Sequence, residues 1–143
     1  MNNMTLAEKG PHVPPPRLAP RLEKVSLAIQ HWPDVISATH WRFDAPGEVD
    51  GADFYVGEQE LGHIHLDGEV HVPFPAPLRT ALIDAGLARR FRWGNDFVEM
   101  TIRTSADAAR ATWLFQLSYD RLRGASTRAL LARIKPATLA APH

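Results

Sequence analysis

The chain has 143 residues, 45% of them hydrophobic and 22% charged, which fits one globular domain and leaves little room for a second. Sixteen Lys and Arg balance sixteen Asp and Glu, so no charge surplus draws the protein to nucleic acid or an anionic membrane, although seven histidines make it cationic in mild acid. With no cysteine, disulfides, Cys-based zinc sites, iron–sulfur clusters and thiol nucleophiles are excluded, leaving hydroxyl, carboxylate and imidazole chemistry, or none.

Residues 1–20 hold Pro11, Pro14, Pro15, Pro16 and Pro20, which predicts a flexible, extended arm outside the core. Residues 21–135 are expected to form a single domain and 136–143 a C-terminal tail. Leu22, Val25, Leu27, Ala28, Ile29 and Trp32 mark an amphipathic helix that Pro33 ends. Val35 to Phe43 is rich in β-branched and aromatic residues and reads as a strand, broken by Ala45-Pro46-Gly47. Phe54 to Val56 and Gln59 to Leu66 flank Gly57-Glu58 as a hairpin, and Asp67-Gly68 then turns the chain into Glu69 to Val72. After Pro73-Phe74-Pro75, Pro77 opens a short helix that Gly86 closes.

Phe91 to Trp93 and Phe97 to Arg103 flank Gly94-Asn95-Asp96 as a second hairpin, with Val98, Met100 and Ile102 alternating against Glu99, Thr101 and Arg103. Thr104 with Asp107 forms a capping pair for a long helix in which Ala108, Ala111, Phe115, Tyr119 and Leu122 share one stripe, ended by Gly124. Ser126 caps a last short helix to Lys135, before Pro136. The order predicts an α+β fold, an antiparallel sheet built of a meander plus a second hairpin, with helices packed on one face. No apolar run approaches the roughly 20 residues needed to cross a bilayer, so a soluble, cytoplasmic protein is expected.

Imidazole dominates the candidate chemistry. In Leu61-Gly62-His63-Ile64-His65-Leu66-Asp67-Gly68-Glu69-Val70-His71, the two-residue period of a strand puts His63 and His65 on one face. Two-residue turns on both sides place that face with Phe54, towards the helices, and pair His71 with Ile64 on the opposite face; a bulge in either turn overturns this. Two imidazoles at i, i+2 with carboxylates suit zinc, iron, nickel or manganese, which makes His63, His65, Asp67 and His71 the ligand or metal candidates. The alternative for each histidine is a satisfied core residue bonded to a carbonyl or carboxylate. A histidine-triad nucleotide hydrolase fails where its third alternating histidine would fall, at Asp67. Arg89, Arg90, Arg92 and Trp93 form a basic, aromatic patch able to hold an anion or phosphate. Glu58, Glu60 and Glu69 read as solvated turn residues, and Ser118 lacks the strand–turn–helix setting of an activated serine.

Glu60-Leu61-Gly62-His63-Ile64-His65-Leu66-Asp67-Gly68, then Val72-Pro73-Phe74-Pro75 and Pro77-Leu78-Arg79-Thr80-Ala81-Leu82, resemble the small bacterial and fungal luciferase-domain family, also called luciferase family proteins. Ala111-Thr112-Trp113-Leu114-Phe115-Gln116-Leu117-Ser118-Tyr119 is similar to that family's terminal helix, so the likeness runs over roughly residues 20–122. The family has no established reaction, so the resemblance gives no ground for light emission and carries over no flavin or luciferin site. Where the family has a histidine and a Pro-x-Ser-Gly-Trp-like turn, Arg89 to Phe97 has neither. The order of elements also resembles, in pattern only, the TfoX N-terminal and MmcQ/YjbR-like domains.

Two functions compete on these grounds. The leading reading is a non-catalytic binding or interaction module for a small molecule or protein, with no stoichiometric metal and no cofactor assigned, because no complete catalytic constellation assembles. The alternative is a small metal- or histidine-dependent enzyme centred on His63 and His65, which convergence of their nitrogens beside a cleft would favour.

Overall fold

Phe54, Ile64, Val70, Val72, Val98 and Met100 come from four strands, yet all are buried in one apolar cluster with Leu22, Val25 and Ile29 of the first helix and Ala111, Leu114 and Phe115 of the third. Their alternation with polar neighbours gives the sheet a helix-facing side and an open side. In the computed structural model, which describes residues 12–45 and 47–140, the elements run α1 (Pro20–Gln30), β1 (Val35–Trp41), β2 (Val49–Val56), β3 (Gln59–His65), β4 (Glu69–Pro73), α2 (Ala76–Asp84), β5 (Arg89–Arg90), β6 (Phe97–Thr101), α3 (Ser105–Leu122) and α4 (Thr127–Ala140). The six strands form one antiparallel sheet in the order β1-β2-β3-β4-β6-β5, as the α+β pattern predicts. No helix among the described residues is long and apolar enough to cross a membrane.

Several boundaries differ from expectation. The second hairpin reaches β6 from Arg89–Arg90, and Phe91 to Trp93 lies outside the strand. β2 begins at Val49, five residues before the predicted Phe54. α4 continues through Pro136 to Ala140, past the predicted end at Lys135, with the Ser126 hydroxyl accepting from the Ala129 amide at 3.1 Å. Residues 12–18, expected within the arm, lie along the free edge of β1. There the Thr39 amide donates to Val13 O (2.7 Å), the Thr39 hydroxyl donates to Pro14 O (2.6 Å), and Leu18 is buried. This satisfies edge groups that would otherwise be open to another strand. The arm's first eleven residues, Pro46 and residues 141–143 lie outside the described residues.

The capping pair at α3 is formed as predicted. Asp107 N donates to Thr104 Oγ1 and Thr104 N to Asp107 Oδ2, each at 3.0 Å. Burial pushes the Asp107 carboxyl up, but its bonds from the Arg103 and Thr104 amides outweigh this and lower its pKa. Thr104→Ala is expected to cost about 1 kcal/mol in chemical denaturation, because it frees an N-terminal amide of the helix. An unchanged midpoint would show that water replaces the cap without loss.

Candidate metal centre

Two local irregularities decide which side chains reach the open face. Between β2 and β3 the pairing runs Tyr55 with Glu60 and then Phe54 with Gly62, so Leu61 is an extra residue in β3. The bulge turns Gly62 and Ile64 towards the helices and sends His63 and His65 to the open side. The next connection has three residues, Leu66-Asp67-Gly68, with the Gly68 amide bonded to His65 O at 3.0 Å and Gly68 at φ +94°. His71 therefore pairs with His63, and Val70 with Ile64. Both parts of the predicted register are corrected: His63 and His65 face away from the helices, and His71 joins them on one face.

The three imidazoles converge. His71 Nδ1 lies 3.0 Å from His63 Nε2 and 3.0 Å from His65 Nε2. Each neighbour is oriented from behind, His63 Nδ1 donating to Glu60 Oε2 at 2.9 Å and His65 Nδ1 to Asp50 Oδ2 at 2.8 Å. Since a carboxylate only accepts, both rings carry their proton on Nδ1 and turn the Nε2 lone pair towards His71. An imidazole nitrogen has one proton or one lone pair, so His71 Nδ1 can bond to one of these nitrogens, not both. A fourth histidine, His40, stacks on His63 with centroids 4.2 Å apart and donates from Nδ1 to Asp53 Oδ1 at 2.7 Å. His40, His63 and His65 each offer a ligand atom within 4.8 Å of the others.

This cluster is enclosed despite lying on the open side. His63, His71, Asp53 and Glu60 are buried, and the Phe97 and Phe91 rings stand edge-on to His63 and His71 at 5.5 and 4.9 Å. Burial, followed by the charges of His63 and His65, pushes the His71 pKa down to about 2. Burial and then His40 lower that of His65. Burial pushes the Asp53 carboxyl up, but the hydrogen bond and charge of His40 bring it below the ordinary value. The imidazoles of His65 and His71 are therefore neutral at pH 7, with lone pairs available to a metal.

Beside His71, across to β6, stand Glu99 and Glu69. Burial raises both carboxyls; the hydrogen bond between them adds to this in Glu69 and opposes it in Glu99, so the Glu69 pKa ends raised and that of Glu99 lowered. Arg92 Nη2 donates to Glu69 Oε1 at 2.5 Å and lies 3.2 Å from Glu99 Oε2, while Arg89 Nη2 is 3.7 Å from both carboxylates. Glu69, His71 and Glu99 have ligand-type atoms within 4.8 Å of one another, but two guanidiniums already hold the carboxylates and oppose a cation there.

Of the residues singled out from the sequence, His63, His65 and His71 come together. Asp67 does not: its Oδ1 accepts from the Glu69 amide in the turn at 3.0 Å. Arg89, Arg92 and the exposed Trp93 form one edge of the same face, the Arg92 guanidinium lying 4.6 Å from the Trp93 ring centroid. Arg90 is exposed on β5. Glu60, expected to be solvated, is buried against His63. Ser118 is structural, donating to Leu61 O at 2.8 Å and pinning the bulge to α3.

Residues 58–118 match the family model described as Luciferase domain. The match is shorter than the likeness read over residues 20–122, and no curated protein or solved structure matches the chain. The matched span holds His63, His65, His71, Glu60, Glu69, Glu99 and the arginines, whereas His40, Asp50 and Asp53 precede it on β1 and β2. The missing signal for those three was register. The spacing from Trp41 to Val49 hides the β1–β2 pairing, and a bulge between His40 and Trp41 shifts it again.

Proposed function

We propose that the open face of the sheet is a divalent metal centre and that the protein works as a small metal-dependent enzyme, the alternative of the two readings. The observation that carries this is the placing of two imidazole nitrogens, both oriented by carboxylates, at 3.0 Å from a third. Hydrogen bonding satisfies only one of those approaches, whereas a metal ion satisfies all three lone pairs. Histidine ligands whose far nitrogen donates to a carboxylate are the usual pattern of such sites, the carboxylate fixing the tautomer and raising ligand basicity. Three nitrogens suit zinc or a neighbouring first-row ion, and three protein ligands leave one position open, as in catalytic sites. An ion held by these three nitrogens would lower the pKa of a coordinated water to about 7 and so supply a nucleophile at neutral pH.

The chain's own residues complete the arrangement. Glu60 and Asp50 hold His63 and His65 in register, while Phe91 and Phe97 exclude water from one side. His40, held by Asp53, stacks on His63 and brings a ligand-type nitrogen of its own beside the three that meet at His71. Protein produced without a histidine tag should hold about one zinc equivalent after dialysis. His71→Ala should lose it, His40→Ala should keep it, and Glu60→Gln should weaken it about 10- to 100-fold. Zinc retained unchanged by His71→Ala, or absent from the unaltered protein after loading, would return the cluster to a structural role.

A further inference from the structure

The arginines next to the histidine cluster are more numerous than their partners. A cleft of about 360 Å³ is lined by Arg89, Arg90, Arg92 and Arg103 together with Glu69, Glu99 and Thr101. Four arginines and two glutamates line it in a chain whose formal charge is zero, so the excess is local. Glu69 and Glu99 are engaged by Arg92 and Arg89. Arg90 and Arg103 have no carboxylate partner among the described residues, and both are exposed. The two carboxylates therefore fix half of the arginines and leave the other half with unmet donors.

We propose that this cleft binds the oxyanion of a small substrate, a phosphate ester or a carboxylate, beside the metal centre. Guanidinium forks match both groups bidentately, and Arg89 and Arg92, held by Glu69 and Glu99, fix the cleft wall beside the two arginines that have no carboxylate partner. The volume suits a small molecule rather than a strand of nucleic acid. Glu69 and Glu99 join the cleft to the centre, since both line it and both have an oxygen within 4.8 Å of a His71 nitrogen. Trp93, 62% exposed and under the Arg92 guanidinium, offers a ring face for the body of the ligand. What happens at the ligand's other end rests on the metal reading; the grip on the anion rests on the cleft alone.

The test is calorimetric titration of inorganic phosphate and, separately, succinate into the full chain, once zinc-loaded and once stripped with chelator. Saturable binding at about 1 mM or tighter is expected for at least one probe, and the better probe tells a phosphate ester from a carboxylate. Arg90→Ala/Arg103→Ala should weaken that binding about tenfold or more in both preparations, with an unchanged unfolding midpoint, while Arg128→Ala on α4 should leave it as it was. Binding that the double variant does not weaken, equal weakening by Arg128→Ala, or no saturable binding of either probe would overturn the proposal. Arg-dependent binding in a protein that holds no zinc would sink the metal reading and leave the anion site standing.

Discussion

Phe115→Ala is expected to lower the unfolding free energy by about 3–5 kcal/mol, the largest loss for a single side chain on α3. Phe115 is fully buried, meets Phe54 edge to face with centroids 5.7 Å apart, and covers Gly62 so closely that a Cβ there would lie 2.5 Å from its Cε1. Removing the ring leaves a cavity beneath the bulged strand that carries His63, with Ser118 one turn further along the helix holding Leu61 O. Trp113, two residues away and about 200° around the helix, is only partly buried at the rim of the core. Its replacement by alanine should cost less. Urea denaturation of the two variants ranks them, and the reverse order would mean that the stripe through Ala108, Ala111 and Phe115 is not the one that organises the core.

Gly51→Ala is expected to cost about 3 kcal/mol, at the upper end for overpacking, and to remove bound zinc as well. A Cβ at this position would lie 1.8 Å from Ile64 O and 2.9 Å from His65 Cα, both backbone atoms that no rotamer change moves aside. Gly51 pairs with His40 on one side and His65 on the other. Its lack of a side chain is what lets the β3 backbone come this close, beside the His40 and His65 rings, whose centroids are 4.9 Å apart. Relief of the clash has to part β2 from β3, carrying His65 away from Asp50 and from His71. Thermal unfolding and metal analysis on the same sample check both halves, and a variant with ordinary stability and full zinc would contradict this account of the strand pair.

The fold was legible because its signals are local. Alternation in Val98, Met100 and Ile102, the stripe on α3 and the Thr104–Asp107 cap each need only a few neighbouring residues, and each is found as read. The site was legible only in part. His63, His65 and His71 stand out as a run, but their common face depends on one extra residue at Leu61 and one at the turn before Glu69. Because a strand repeats every two residues, each single-residue shift exchanges the faces, so a short-range reading put two histidines in the core and one outside it. His40, Asp50 and Asp53 are up to 31 residues from the histidines they join, and only the sheet brings them there. Glu60 looked solvated because it follows a turn; the bulge beyond it buries it under His63.

Whether three imidazoles share one ion is tested most directly by X-ray absorption on the zinc-loaded, untagged protein. The account predicts nitrogen scatterers at about 2.0–2.1 Å, with outer-shell scattering from three imidazole rings in the unaltered chain. His40→Ala should leave that pattern intact, and His71→Ala should abolish it together with the bound ion. A spectrum of oxygen ligands alone, or one that His71→Ala does not alter, would contradict the assignment of His63, His65 and His71 as the metal centre.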